Sequence, residues 1–147
     1  MKKYINLLAA LCLITIFSIS CGKTSESADN VDLDLSTLST IMAEAEFYSI
    51  MANSEDYIGK IIRVRGEFIS LYISVIDRYY HYIAITRGDS CCPPEGLEIR
   101  LTGDMVTNDD YPINNTVIEV TGILSSNEES GINLIYLEIE EIVIFEE

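Results

Sequence analysis

The chain has 147 residues, 9 Lys+Arg, 24 Asp+Glu and one histidine, for a formal net charge of −15. Nucleic-acid affinity rests on neutralising phosphates, so this balance excludes a nucleic-acid partner. It also disfavours docking on anionic lipid and favours solubility, cations or basic partners.

Residues 1–20 read as a signal peptide. Lys2 and Lys3 form a basic start, Ile5 to Ile19 is an almost unbroken apolar run, and small residues lead to Cys21. The run is shorter than the about 20 residues of a comfortable transmembrane helix. The ending Ser20-Cys21 resembles the lipobox of bacterial lipoproteins, with Ser18 where that family usually has Leu. The resemblance implies that Cys21 is lipidated, becomes the mature N-terminus and holds the chain to a membrane in the cell envelope. Lys2 and Lys3 would leave with the signal, so seven basic residues would face 24 acidic ones, a formal −17. Residues 21–36 are polar and acidic and are expected to form a flexible tether.

Residues 37–147 are expected to be one domain, a helix followed by a β-barrel. The helix is predicted over roughly 37–53. Leu38, Ile41, Met42, Ala45, Tyr48 and Met51 or Ala52 follow a helical stripe expected to face the core. Ser36 or Ser39 can cap its start.

Beyond Gly59 the apolar period becomes two. Five strands are predicted, in "KIIRVRGEFISLYISV", "YYHYIAITR", "GLEIRLTG", "NTVIEVTGILSS" and "GINLIYLEIEEIVIF". The first and fourth share apolar-x-Val-x-Gly, which places Gly66 and Gly122 inside strands, where glycine marks a bulge or sharp bend. Five strands with a bent first and fourth resemble the OB-fold, a five-stranded Greek-key barrel. The opening "DYIGKIIRVRGEF" is similar to many bacterial domains of that fold. The expected class is therefore all-β, an OB-like Greek-key barrel preceded by one α-helix. An open β-sandwich with the helix across one end is the rival. This barrel hosts many functions and implies none.

The chemistry concentrates in "GDSCCPPEGLE", residues 88–98. With Cys12 in the signal and Cys21 lipidated, Cys91 and Cys92 are the thiols of the mature domain. Neighbouring Cα atoms lie about 3.8 Å apart, and relaxed disulfides want about 4.4–6.8 Å. A bond between the two would be strained and easily reduced. Four readings stay open: apolar packing of one thiol; a zinc or other soft metal site with His81, Asp89, Glu95 or Glu98; a redox-active vicinal disulfide; and a disulfide to another chain. "CCPPEGLEIRL" also resembles a Cys-Cys-x-x-Gly-Leu-Glu turn of bacterial OB-fold-like proteins without established activity. That resemblance implies a shared site at Cys91 and Cys92, and carries no reaction.

His81 is read as a half-buried strand histidine before a ligand or proton carrier. Tyr79, Tyr80 and Tyr82 lie on the strand where OB-folds stack ligands; with this charge, barrel packing or a sugar or peptide suits them better than nucleic acid. Asp104, Asp109 and Asp110 are read as a solvated loop. One histidine and no recognisable catalytic set favour a binding role over catalysis. A ligand, a metal or an envelope protein is the expected partner, centred on the Cys91–Cys92 turn. A thiol-dependent redox or metal-handling protein and a purely structural adaptor are the alternatives.

Overall fold

The computed structural model describes residues 30–75, 77–88, 92–129 and 131–145. The signal peptide, Cys21, Asp89 and Cys91 lie outside them. Among the described residues no helix is long and apolar enough to cross a membrane.

The fold is mostly β with one α-helix. In chain order come β1 (Leu33–Asp34), α1 (Thr40–Ala52), a 3-10 turn (Ser54–Asp56), β2 (Ile61–Ile73), β3 (Arg78–Ala84), β4 (Gly96–Leu101), a second 3-10 turn (Asn108–Asp110), β5 (Val117–Glu129), β6 (Ile132–Ile139) and β7 (Val143–Phe145). The seven strands make one sheet in the order β1-β2-β3-β4-β6-β5-β7, and β2 also pairs with β5. Pairing therefore runs from β2 through β3, β4, β6 and β5 back to β2. The β4–β6 pair is parallel, and the other pairs of this circuit are antiparallel.

The two in-strand glycines mark where a strand changes partner. Residues 61–67 of β2 pair with β5, and residues 67–73 pair with β3. Gly66 stands at that handover, where an added Cβ would meet the carbonyl oxygen of Ala84. Gly122 holds the matching place in β5, opposite both Ile62 and Ile139, and a Cβ there would meet the carbonyl oxygen of Glu138. The repeated apolar-x-Val-x-Gly pattern thus serves one geometric need twice: a close backbone approach that only glycine permits.

The core collects the inward parity of each strand. Ile62, Val64 and Phe68 of β2 meet Ile83, Leu97, Ile99, Ile118, Leu124 and Leu137, all essentially buried. Alternation of this kind buries one face of a strand and leaves the other for solvent or ligands.

Three local outcomes differ from the sequence expectation. The fifth expected strand is two, because the chain breaks pairing at residues 140–142 before β7 returns to β5. The chain also joins the sheet earlier than the expected end of the tether. Leu33 and Asp34 pair in parallel with Ile62 and Arg63, Asp32 Oδ2 accepts the Ile61 N–H at 2.8 Å, and Leu35 is buried. Alternating Leu33 and Leu35 between aspartates is a short strand pattern that polarity alone obscured.

The third difference is the roll of α1. Its buried side chains are Phe47 and Ile50, with Ala43 packed on the core. Most of the stripe expected to face inward faces solvent: Ile41 is 80% exposed, Met42 57%, Tyr48 53% and Met51 45%, while Leu38, ahead of the helix, packs on the core. The helix is apolar on both sides, so periodicity could not decide which side meets the sheet. Ser39 occupies the N-cap position with extended backbone but makes no capping side-chain bond. Ser36 instead turns its hydroxyl back to Asp34 Oδ1.

Candidate binding groove and the polar cleft beside it

Strand β3 divides the candidate residues between two places. Its side chains alternate, so Tyr79 and His81 take one parity and Tyr80 and Tyr82 the other.

Beside the first pair, at the open edge between β3 and β4, lies a polar cleft of about 610 Å³, lined among others by Tyr79, His81, Asn108 and Tyr111, and by Arg78 and Glu98, which share the parity of Tyr80 and Tyr82. It exists because β3 and β4 pair over only three positions, Tyr82↔Glu98, Ile83↔Leu97 and Ala84↔Gly96. No β3–β4 pairing continues past Glu98, and the loop that carries Tyr111 fills part of the opening.

Glu98 is only 4% exposed. A carboxylate that deep needs strong hydrogen-bond partners to offset its lost hydration. Arg78 Nη2 and Arg100 Nε both donate to its Oε1, the latter at 2.7 Å. Arg78 Nη1 reaches on to Glu129 Oε2 at 2.7 Å, and the Arg100 guanidinium lies 3.8 Å over the Tyr136 ring. The two arginines thus clamp Glu98 to Glu129.

His81 is packed among rings. Tyr111 stacks on it with centroids 3.8 Å apart, and Phe68 and Tyr79 lie 5.8 and 6.1 Å away. Its Nε2 sits 3.2 Å from Asn108 Oδ1, while Nδ1 is buried and has no hydrogen-bond partner among the described residues. Burial pushes the imidazole below its ordinary value, against the pull of the Asn108 bond and the Glu98 charge. It is a neutral core histidine at neutral pH.

On the other side lies an apolar groove of about 460 Å³. Phe47, Tyr48 and Met51 of α1 form one wall. Leu71 of β2 with Tyr80 and Tyr82 of β3 form the floor. Pro93, Pro94 and Glu95 form the far wall. The far wall is pinned to the sheet, since the Ile85 and Thr86 N–H groups both donate to the Glu95 carbonyl, at 2.9 and 3.0 Å. The Glu95 N–H donates to Thr86 Oγ1 at 2.7 Å. Tyr48 OH bridges the groove to Glu95 Oε2 at 3.2 Å, and Tyr82 OH reaches the Pro94 carbonyl at 3.4 Å. Burial, then the Glu98 charge, push the Tyr80 phenol up to about 12. Cys92 is exposed on the same turn. It lies close enough to Tyr48 to add to a rise in that phenol's pKa caused first by its bond to Glu95.

The expected residues are therefore not one constellation among the described residues. His81 and Glu98 line the cleft, and Cys92 stands at the groove. Tyr79 goes with the cleft, and Tyr80 and Tyr82 with the groove. Asp89 and Cys91 lie outside the described residues. Among the described residues no three His, Cys, Asp or Glu side chains are grouped to hold a metal. Asp110 holds its own loop, its Oδ2 accepting the Thr107 N–H at 2.7 Å and its hydroxyl at 3.0 Å.

Sequence reading missed Tyr48, Met51 and Leu71 as groove residues. The signal was present as surplus: α1 has more apolar side chains than one buried face can use.

Compared with known proteins, the chain matches no protein-family model and no curated protein.

Proposed function

We propose that this chain is a bacterial envelope lipoprotein, anchored by lipid on Cys21, whose OB-like barrel has a non-enzymatic binding role at the groove beside Cys92. The pairing circuit β2-β3-β4-β6-β5-β2, with its one parallel pair, supports the five-stranded Greek-key reading. One observation carries the binding role. The Pro93–Glu95 wall, the tyrosines of β3 and helix α1 leave between them a pocket lined by aromatic, aliphatic and proline side chains with a single charge, Glu95. Concave apolar sites with a few placed polar groups are the usual form of a binding site.

The test uses a photo-crosslinking amino acid in place of Leu71, expressed in cells, with the same group at Ile144 on β7 as control. A discrete crosslinked species from Leu71 and none from Ile144 is expected. Equal or absent crosslinking at both positions overturns the role of the groove. Radiolabelled palmitate incorporated by the chain and lost in Cys21→Ala tests the anchor.

A thiol-dependent redox or metal-handling role is the second reading, favoured by the exposure of Cys92 at the groove. Thiol count and metal content measured on one sample, purified without reductant or chelator, decide it. A stoichiometric metal lost in the Cys91→Ser, Cys92→Ser double variant would move the function to that turn. Two reduced thiols without metal would remove this reading.

A further inference from the structure

Helix α1 carries two apolar faces, and the sheet uses one. Going round the helix at 3.6 residues per turn, Ala43, Phe47 and Ile50 point to the core. Ile41, Ala45, Tyr48 and Ala52 follow one another down the opposite side, with Met42 and Met51 beside them, and all six are exposed. Round the helix, the sector from Tyr48 through Ile41 and Ala52 to Ala45 carries no charge, and Glu44 falls between Tyr48 and Met51. A helix apolar all round is normally buried on all sides. The outer face also runs without a break into the groove, because Tyr48 and Met51 belong to both. Patches of this kind on a soluble domain mark interaction sites.

The borders of the patch have one sign. Glu44 stands between Met51 and Tyr48 and Glu46 beyond Met42, Glu55 and Asp56 follow in the next turn, and Glu95 closes the far wall of the groove. Residues 40–56 contain no lysine or arginine. No cation lines the groove, and Lys60 is turned onto the Tyr57 ring, 4.5 Å from its centroid.

From these observations we propose that the outer face of α1 and the adjoining groove dock a cationic amphipathic helix of a partner protein. The proposal rests on reading the groove as the binding site and names the chemistry of what it binds. The 13 residues of α1 span roughly 20 Å, enough for three to four turns of a partner. Ala45 and Ala52 lower the middle of the ridge, so a helix axis can approach to about 8–10 Å. Met42 and Met51 supply flexible, polarisable contacts that adapt to the partner's side chains. The partner's lysines or arginines flank its apolar stripe and meet the acidic borders. Helix-in-groove recognition works in this way, with anchors at i, i+3 or i+4 and i+7.

The same charges argue against other occupants. A second copy would bring acidic borders against acidic borders on chains of −15 each. An anionic lipid surface would meet the same repulsion.

The chain contains no tryptophan, so a peptide with a single Trp can be followed by its own emission. The probe is a synthetic 14-residue Leu/Lys helix with Trp in its apolar stripe, and the comparison is a scrambled peptide of identical composition. The protein is the mature chain from residue 21, with Cys21→Ser to omit lipid. The striped peptide is expected to bind saturably with a blue shift, about tenfold tighter than the scrambled one. The double variant Ile41→Gln, Met51→Gln should lose that advantage while its melting curve stays unchanged. Equal binding of both peptides, or equal binding to the variant, overturns the proposal. So does a dimer that the double variant dissolves, or flotation of the wild type with zwitterionic vesicles that the variant abolishes. Failure here with a persisting Leu71 crosslink refutes the helical partner alone. Loss of both refutes the binding role of the groove itself.

Discussion

The cleft and the groove that β3 helps to line solve opposite problems. In the cleft, polar groups are numerous and satisfy one another: two arginines hold two carboxylates, and His81 lies among three rings. In the groove, apolar groups are numerous and nothing in the described chain covers them. A satisfied polar cluster stabilises and locates the strands. An uncovered apolar surface with a few fixed polar groups is a place for something else. Alternation puts Tyr79 and His81 in the cleft and Tyr80 and Tyr82 under the groove, while Arg78 and Glu98, which share the parity of Tyr80 and Tyr82, reach the cleft at the open edge between β3 and β4. Residues adjacent in sequence thus meet different surroundings.

The largest effect that breaks this contrast is expected on the cleft side. Glu98→Gln removes the charge that both arginines share and leaves them facing each other. Breaking a buried ion pair by removing one partner costs about 3–5 kcal/mol. The arginine side chains are 29% and 26% exposed, which keeps the expected loss near the lower bound, about 3 kcal/mol. Urea unfolding measures it. Groove binding should survive wherever the variant remains folded, because Glu98 does not line the groove. Loss of binding in a folded Glu98→Gln chain would show that the two sides are one site.

Gly66→Ala comes next. A Cβ at Gly66 has no room beside the Ala84 carbonyl, and backbone cannot yield as a side-chain tip can. Overpacking of this kind costs about 1–3 kcal/mol. Gly122→Ala should behave alike, since Gly122 performs the same handover on β5. A neutral outcome at either position, again by urea unfolding, would mean that the circuit of strands is looser than the pairing suggests.

The third effect is a pH dependence. His81 has a lowered folded-state pKa, so the unfolded chain takes up its proton first as pH falls. The stability linked to it is fully present above the ordinary imidazole value of 6.5 and is lost as pH drops from there through the lowered folded value. Asp110 and Glu129, whose folded values are also lowered, lose their contribution in a separate window below the ordinary carboxylate range. His81→Phe should therefore flatten the stability profile as pH falls below 6.5 and leave the more acidic limb in place. An unchanged profile in that window would mean that His81 titrates alike in both states.

Much of this was legible beforehand. The period-two runs located β2 to β6, because each has an apolar parity that must be buried. The shared glycine motif pointed to strand bends, though close approach to a carbonyl, not a bulge, is what forbids a side chain. What stayed hidden depended on partners remote in sequence. Glu98 reads as one of several metal-ligand candidates until Arg78 and Arg100 are seen to converge on it. His81 reads as a half-buried strand histidine, but its cover, Tyr111 thirty places on, is out of sight. The side of α1 that meets the sheet was undetermined because both sides are apolar, and only the shape of the sheet selects Phe47 and Ile50.

That ambiguity is also the source of the smallest expected effect. Ile50→Val, on the inner face of α1, should cost about 0.5–1.5 kcal/mol, as such truncations of buried aliphatic residues do. Ile41→Gln, on the outer face, should change stability by less than about 0.5 kcal/mol, as surface substitutions do. If both hold, folding does not require Ile41, Met42 or Met51 to be apolar, and glutamine would serve there as well. An apolar face that adds nothing to stability and increases the risk of self-association is retained only for a contact. Loss of the amphipathic peptide in a fully stable Ile41→Gln, Met51→Gln chain would identify that contact. A large loss of stability in Ile41→Gln alone would place the residue in a fold-stabilising contact and return the outer face to the core.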